Sequence, residues 1–244
     1  MRSWASKNNQ HGKQAFQKYM MLLFLEGLQK ISSDFVFKGG NLLWHYIETP
    51  RETVDLDLIT LTLDSHLEVK KVLDQLTNYY EEIIFRTVEF KELNEAQGKG
   101  AALTIEYKTL SSQKNQFTID IVYCIPTDLK KVKSTINKDF QYLSASIENI
   151  ILDKVAASSK FKGGNTRIKD FDDLWRLSQS KISVDKLKIK NLFDKNLLES
   201  KLSEEWISDI LENGWKRHWK KYQDLPTTIQ KVFGDVNEWL KNFE

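Results

Sequence analysis

Phe35-Val36-Phe37-Lys38-Gly39-Gly40, followed shortly by Val54-Asp55-Leu56-Asp57-Leu58-Ile59, is the stretch on which the reading of this chain turns. The second segment has the composition of a strand, and in a strand residues i and i+2 leave the same face. Asp55 and Asp57 would then share one face while Val54, Leu56 and Leu58 pack into the other. Two carboxylates held that close oppose each other's ionisation. A divalent cation removes the conflict, and hard oxygen ligands suit magnesium, with manganese as the alternative. Gly39 and Gly40 turn the chain after an apolar strand, and backbone N–H groups at such a turn can hold phosphate. These features predict a metal-dependent nucleotide site.

A third acid fits the same scheme. Phe117 to Ile125 reads as an apolar strand interrupted by Asp120, whose face differs from that of Ile119 and Ile121. Burying a lone carboxylate is costly. Three acids on adjacent strands are tolerable around one or two cations, which is the ligand set of two-metal phosphoryl transfer. Asp120 is then a general base or a second metal ligand. An isolated Asp-x-Asp is usually a pair of exposed acids, and most Gly-Gly turns only reverse direction. The order of the pieces is the informative part: strand, glycines, helix, acidic doublet, later strand acid.

Composition bounds the rest. The chain has 244 residues, enough for one large domain or two small ones, and its 13 Phe, 8 Tyr and 7 Trp supply a core. A net charge of +2 gives no global argument for nucleic-acid binding. One cysteine, Cys124, excludes an intrachain disulfide and a cysteine-based zinc site, and its apolar surroundings suggest a buried small side chain. No window reaches the roughly 18 apolar residues of a membrane span, and no leader pattern precedes the first helix, so a cytoplasmic protein is expected.

Periodicity predicts helices over 14–30, 41–47 and 67–80, and strands over 35–37, 54–63, 83–90, 101–110 and 117–125, with a polar and mobile start. After Pro126 strand patterns are expected to stop. Helices follow over 147–159, with Ser146 as N-cap, and over 168–178, 185–194, 203–221 and 227–242, the first two separated by Gly163-Gly164-Asn165. The reading is an α/β (α+β) domain over 1–143 and a helical domain over 144–244, with a cleft between them.

Taken together, Gly39-Gly40, Asp55-Leu56-Asp57 and Asp120 resemble the signature of the nucleotidyltransferase superfamily. Glu148 to Ala157, Arg167-Ile168-Lys169-Asp170-Phe171-Asp172-Asp173-Leu174-Trp175 and Arg51-Glu52-Thr53-Val54-Asp55-Leu56-Asp57 narrow the resemblance to AbiEii/AbiGii-type toxins. It covers about residues 30 to 180. It implies a mixed sheet of the nucleotidyltransferase type, NTP binding, and nucleotide transfer to an RNA acceptor such as a tRNA end. It implies a toxin-like or phage-defence role and a cognate antitoxin partner. It also implies that Asp55 and Asp57 hold the metal, that Lys154 contacts the triphosphate, and that Asp170 belongs to the catalytic set with Asp173 in support. Asn41 stands where such proteins usually carry Ser or Thr, and its amide could donate to phosphate in place of the hydroxyl.

Spacing leaves several roles open. Lys154 is either a phosphate ligand or a surface lysine snorkelling past Ile150, Ile151 and Val155. Arg167 and Asp170 are placed for a helical salt bridge. Arg51 can pair with Asp55 or Asp57, or touch substrate. Trp215-Lys216-Arg217-His218-Trp219-Lys220-Lys221-Tyr222 suits single-stranded RNA, but a helix with buried tryptophans and a solvated basic face explains it better. Two other activities are compatible with the chain: transfer to a small molecule or protein hydroxyl, and non-catalytic nucleotide binding.

Overall fold

The computed structural model describes residue 4 and residues 12–95, 98–123, 128–164 and 167–243. Cys124, Pro126, Asn165 and most of the polar start lie outside the described residues, as do the expectations placed on them. The chain divides into two compact units, Met1–Leu42 with Glu52–Ala145, and Leu43–Arg51 with Ser146–Glu244.

The first unit is a seven-stranded mixed sheet. Its strands are β1 (Phe35–Lys38), β2 (Asp55–Thr60), β3 (Ile83–Glu95), β4 (Gly98–Thr109), β5 (Lys114–Tyr123), β6 (Leu129–Lys133) and β7 (Gln141–Ala145), in the spatial order β3-β4-β5-β2-β1-β7-β6. The β2–β5 and β1–β7 pairs are parallel, and the others are antiparallel. One face is closed. Phe37, Leu56, Leu58, Leu103, Ile105, Phe117, Ile119 and Ile121 are buried there. Helix α1 (Gly12–Ile31) lies on it through Phe24, whose ring meets Phe85 at 5.2 Å and Phe117 at 5.5 Å in edge-on contacts. Helix α3 (His66–Leu76) buries Val69, Leu73 and Leu76, and just beyond it the Tyr80 hydroxyl donates to the Leu23 carbonyl of α1 at 2.7 Å.

The expectation that strands end at Pro126 is wrong: β6 and β7 follow it. Neither announces itself by alternation. β6 is an edge strand of sequence Leu-Lys-Lys-Val-Lys, exposed at four of its five positions, and edge strands carry lysine because charge blocks pairing with other chains. β7 is short, and the polar Ser144 is fully buried in it, its hydroxyl donating to the Lys130 carbonyl at 3.2 Å. The β1–β7 ladder is brief, and Gln29 of α1 extends it. The Gln29 amide donates to the carbonyls of Phe35 and Leu143 and accepts from the Leu143 N–H. The β3–β4 hairpin also runs further than alternation suggests, out to Glu95 and back from Gly98.

The second unit is helical: α4 (Ile147–Phe161), α5 (Ile168–Gln179), α6 (Lys186–Lys195), α7 (Asp209–Lys221) and α8 (Ile229–Leu240). Its core joins Phe171, Leu174 and Leu177 of α5 to Val232, Phe233 and Val236 of α8, with Phe171 and Phe233 at 5.2 Å. The helix expected over 203–221 is split. A 3-10 turn spans Glu204–Trp206, and Ser208 then caps α7 by accepting from the Leu211 N–H at 3.3 Å. In α7, Trp215 is buried and its indole N–H donates to the Pro226 carbonyl, while Lys216, Arg217 and Lys220 are exposed. The basic, aromatic segment is therefore a packed helix with a solvated cationic face.

Ser146 caps α4, its hydroxyl accepting from the Asn149 N–H at 3.2 Å while fully buried. Ser146→Ala removes that acceptor and should cost about 1 kcal/mol in urea unfolding, with Ser146→Asp recovering most of it.

Candidate active site

The acids on β2 and β5 come together through strand register. In β2, Leu56 and Leu58 are buried while Asp55 and Asp57 are half-buried. In β5, Ile119 and Ile121 are buried while Asp120 is half-buried. The parallel pairing sets Asp57 directly across from Asp120 and Asp55 across from Thr118. Residues paired across neighbouring strands share a face, and the strands are about 4.8 Å apart. Asp55, Asp57 and Asp120 therefore all emerge on the face opposite α1.

The Gly-Gly corner reaches the same acids. Gly39 opens the short helix α2 (Gly39–Leu43) with φ of +75°, a conformation that favours glycine. A Cβ at Gly39 would lie 2.6 Å from Asp57 Cβ and would overlap the Asp57 carboxylate. Only glycine lets that carboxylate rest on the turn. Gly40 follows it in α2. Asn41 is buried, and its Nδ2 donates to the Asp55 carbonyl at 2.6 Å. That bond ties the corner to the backbone of β2. The other side of the amide, Oδ1, is buried with no hydrogen-bond partner. The expectation gave this amide to a phosphate; in the structure one of its N–H groups holds the strand that carries Asp55.

Among the described residues, no three or more His, Cys, Asp or Glu side chains are gathered into a ready-made cage for a metal ion. Magnesium does not need one, because it keeps waters and takes one or two carboxylates together with substrate phosphates. Half-buried carboxylates on one face, beside a turn that accommodates one of them, are donors of the kind such an ion takes in that mode.

The second unit holds a buried ionic cluster. Lys154 of α4 donates to Asp173 at 2.5 Å and to Asp170 at 3.3 Å, both on α5. Arg51 closes on Asp173 through two parallel bonds, Nε to Oδ1 and Nη2 to Oδ2, each 2.8 Å. Arg167 donates to Asp170 at 2.7 Å, the helical bridge its spacing allows. Asp173 is fully buried, and Lys154, Arg51 and Asp170 nearly so. Burial alone would raise the Asp173 carboxyl, but Lys154 and Arg51 outweigh it and hold it below the usual carboxylate range. Burial would likewise lower Lys154 and Arg51, and the aspartates more than offset it. The Lys154 ammonium does not snorkel to the surface, and the carboxylate gripped by Arg51 is Asp173, neither Asp55 nor Asp57.

Sequence reasoning missed a second network. Arg176 donates to Asp172 at 2.6 Å and to Asp224 at 2.5 Å, and His218 Nε2 lies 2.7 Å from the other Asp172 oxygen. The Arg176 and Asp172 spacing of four was a visible signal, whereas His218 and Asp224 are brought in only by packing. Lys38 was also overlooked. It is the cross-strand partner of Asp57 in β1, and a lysine closing an otherwise apolar strand was the available clue.

A mixed sheet with acids on two central strands beside a glycine turn places this chain in the nucleotidyltransferase fold class. The sequence matches the family of the nucleotidyl transferase AbiEii toxin, of the Type IV toxin–antitoxin system, over residues 23–236, and the chain belongs to that family. Among solved structures it is similar to JHP933 from Helicobacter pylori, with 16% identity, 95% of this chain and 92% of that chain covered, and a TM-score of 0.61. A second H. pylori protein, described as a candidate nucleotidyltransferase, is 16% identical, with 96% and 92% covered and a TM-score of 0.54. These likenesses are of fold. A search of curated proteins finds no match. Among the described residues no helix is long and apolar enough to cross a membrane.

Removing one partner of a buried ion pair strands the other charge. Arg51→Ala should therefore destabilise the protein by about 3–5 kcal/mol in urea unfolding. Arg167→Ala, at a half-exposed bridge, should cost less than about 1 kcal/mol. Asp173 contributes stability above the unfolded carboxylate pKa of about 3.9 and loses it as pH falls through its lower folded value. The wild-type advantage over Asp173→Asn should accordingly shrink on acidification below pH of about 4.

Proposed function

We propose that this protein is a metal-dependent nucleotidyltransferase that moves NMP from an NTP to an acceptor hydroxyl, with an RNA end as acceptor. Family membership supports nucleotidyl transfer. The observation that carries the finer reading is the β2–β5 register, which sets Asp57 across from Asp120 on one face with Asp55. A bound magnesium or manganese ion would neutralise charge on the triphosphate and make an acceptor hydroxyl more acidic.

In this reading Asp55 and Asp57 hold the ion through their carboxylate oxygens. Gly39 leaves room for the Asp57 carboxylate, and the Gly39-Gly40 turn offers backbone N–H groups to phosphate. Asn41 keeps β2, and with it Asp55, at a fixed distance from that turn. Asp120 orients the acceptor and takes its proton. The acceptor oxygen forms a bond to the α-phosphorus, the bond from that phosphorus to the bridging oxygen breaks, and pyrophosphate leaves with that oxygen's electrons.

Lys154 is the triphosphate ligand. Two of its three N–H groups serve Asp173 and Asp170, which leaves the third for a phosphate oxygen. Asp170 and Asp173 keep the ammonium charged and oriented, and Arg51 fixes Asp173, so these three position Lys154. The exposed lysines and arginine of α7 support a polyanionic acceptor. A cognate antitoxin and a cytoplasmic setting complete the reading.

Purified protein incubated with labelled NTPs, magnesium and a mixture of RNA, protein and metabolites should label the RNA pool. Asp55→Ala and Asp57→Ala should each lower transfer by at least about a hundredfold, the scale expected when a group acting in the transition state is removed. Equal labelling by wild type and both variants would overturn the proposal. Label in the protein or metabolite pool would replace RNA as acceptor.

A further inference from the structure

The carboxylate face carries its own cation. Lys38 closes β1, and antiparallel pairing sets it directly across from Asp57. Asp57 is in turn directly across from Asp120 on its other side. The row across three strands is therefore ammonium, carboxylate, carboxylate, with Asp55 one step along the same face. Lys38 is half-buried, whereas the strand before it, Phe35-Val36-Phe37, is fully buried. A lysine side chain is longer than the spacing between cross-strand partners, so its ammonium is within range of the Asp57 carboxylate and of the row toward Asp120. Like charges placed opposite one another destabilise a sheet, and an opposite charge in the same row relieves that. Three carboxylates against one ammonium leave two negative charges, the charge of one divalent ion.

We propose that Lys38 is the resident counter-ion of this face, competing with the divalent cation for the Asp57 and Asp120 oxygens and turning to a nucleotide phosphate oxygen once the cation is bound. The inference rests on the metal site of the proposed function. A flexible ammonium suits it. Lysine is a compact charge on a long stem that changes partner without breaking a fixed fork, unlike the guanidinium of Arg51. The face is thus partly compensated without metal, and in this scheme the same ammonium is at hand for the triphosphate when metal arrives.

The test is Mn2+ binding by electron paramagnetic resonance, without nucleotide, for wild type, Lys38→Met, Lys38→Arg and Asp57→Asn, each checked by thermal unfolding. Removing one unit charge beside a divalent ion at a solvated site should tighten binding by about tenfold in Lys38→Met. Lys38→Arg should bind within about twofold of wild type because the charge is kept. In turnover, Lys38→Met should need less metal for half-maximal rate yet reach a lower kcat. If Lys38→Met is too unstable to study, Lys38→Gln serves as the neutral variant. Mn2+ affinity unchanged or weakened in the neutral variant, with Asp57→Asn losing binding, would overturn this proposal and leave the metal site intact. Asp57→Asn binding Mn2+ as wild type does would remove the metal site and this proposal with it.

Discussion

The parallel pairing of β2 with β5 is the constraint on which the rest depends. It holds Asp57 and Asp120 side by side on one face, an arrangement that a sheet does not adopt for stability. The closed face supplies what is needed to impose it. Leu56, Leu58, Ile119 and Ile121 are buried beneath the acids, and a one-residue slip in register would exchange them for carboxylates. Apolar burial thus fixes the geometry of the polar face. Gly39, with no side chain to displace Asp57, and Asn41, bound to the Asp55 carbonyl, set the same acids from the turn side.

The helical unit solves a different electrostatic problem. Its cluster is buried, and each charge in it is held by an opposite one. Arg51 matters most because it grips both oxygens of the fully buried Asp173, leaving Lys154 a partner whose orientation cannot drift. Arg51 lies far from Asp173 in sequence, within the 43–51 segment that belongs to the helical unit. A buried network of this kind gains little net stability over an apolar core and is costly to break. What it does fix is the charge state and the position of Lys154.

Much of the sheet face was legible in the sequence because strand alternation is a two-residue period. Asp55 and Asp57 had to share a face, and Asp120 had to oppose Ile119 and Ile121. That Asp120 shares the face of Asp55 and Asp57, at the same level as Asp57, depends on register, which no local pattern states. The loss of strand signal after Pro126 has a similar cause. β6 is stabilised by pairing and protected by lysines, so its own residues read as a loop, and β7 buries a serine whose partner is a backbone carbonyl. In the helices, Lys154 and Asp170 stood out by family resemblance, but only packing could choose Asp173 for Arg51 over the nearer Asp55 and Asp57. Lys38 was readable in principle and was passed over because a lysine at a strand end is so often a solvated one.

The most direct test of the account is where a metal binds. Crystals grown with Mn2+ and a non-hydrolysable NTP analogue should show anomalous density within about 2.2 Å of carboxylate oxygens from Asp55 and Asp57, with Asp120 facing the same ion or the α-phosphate. Manganese held elsewhere, with the nucleotide bound and these three carboxylates turned away from it, would contradict the account at its root.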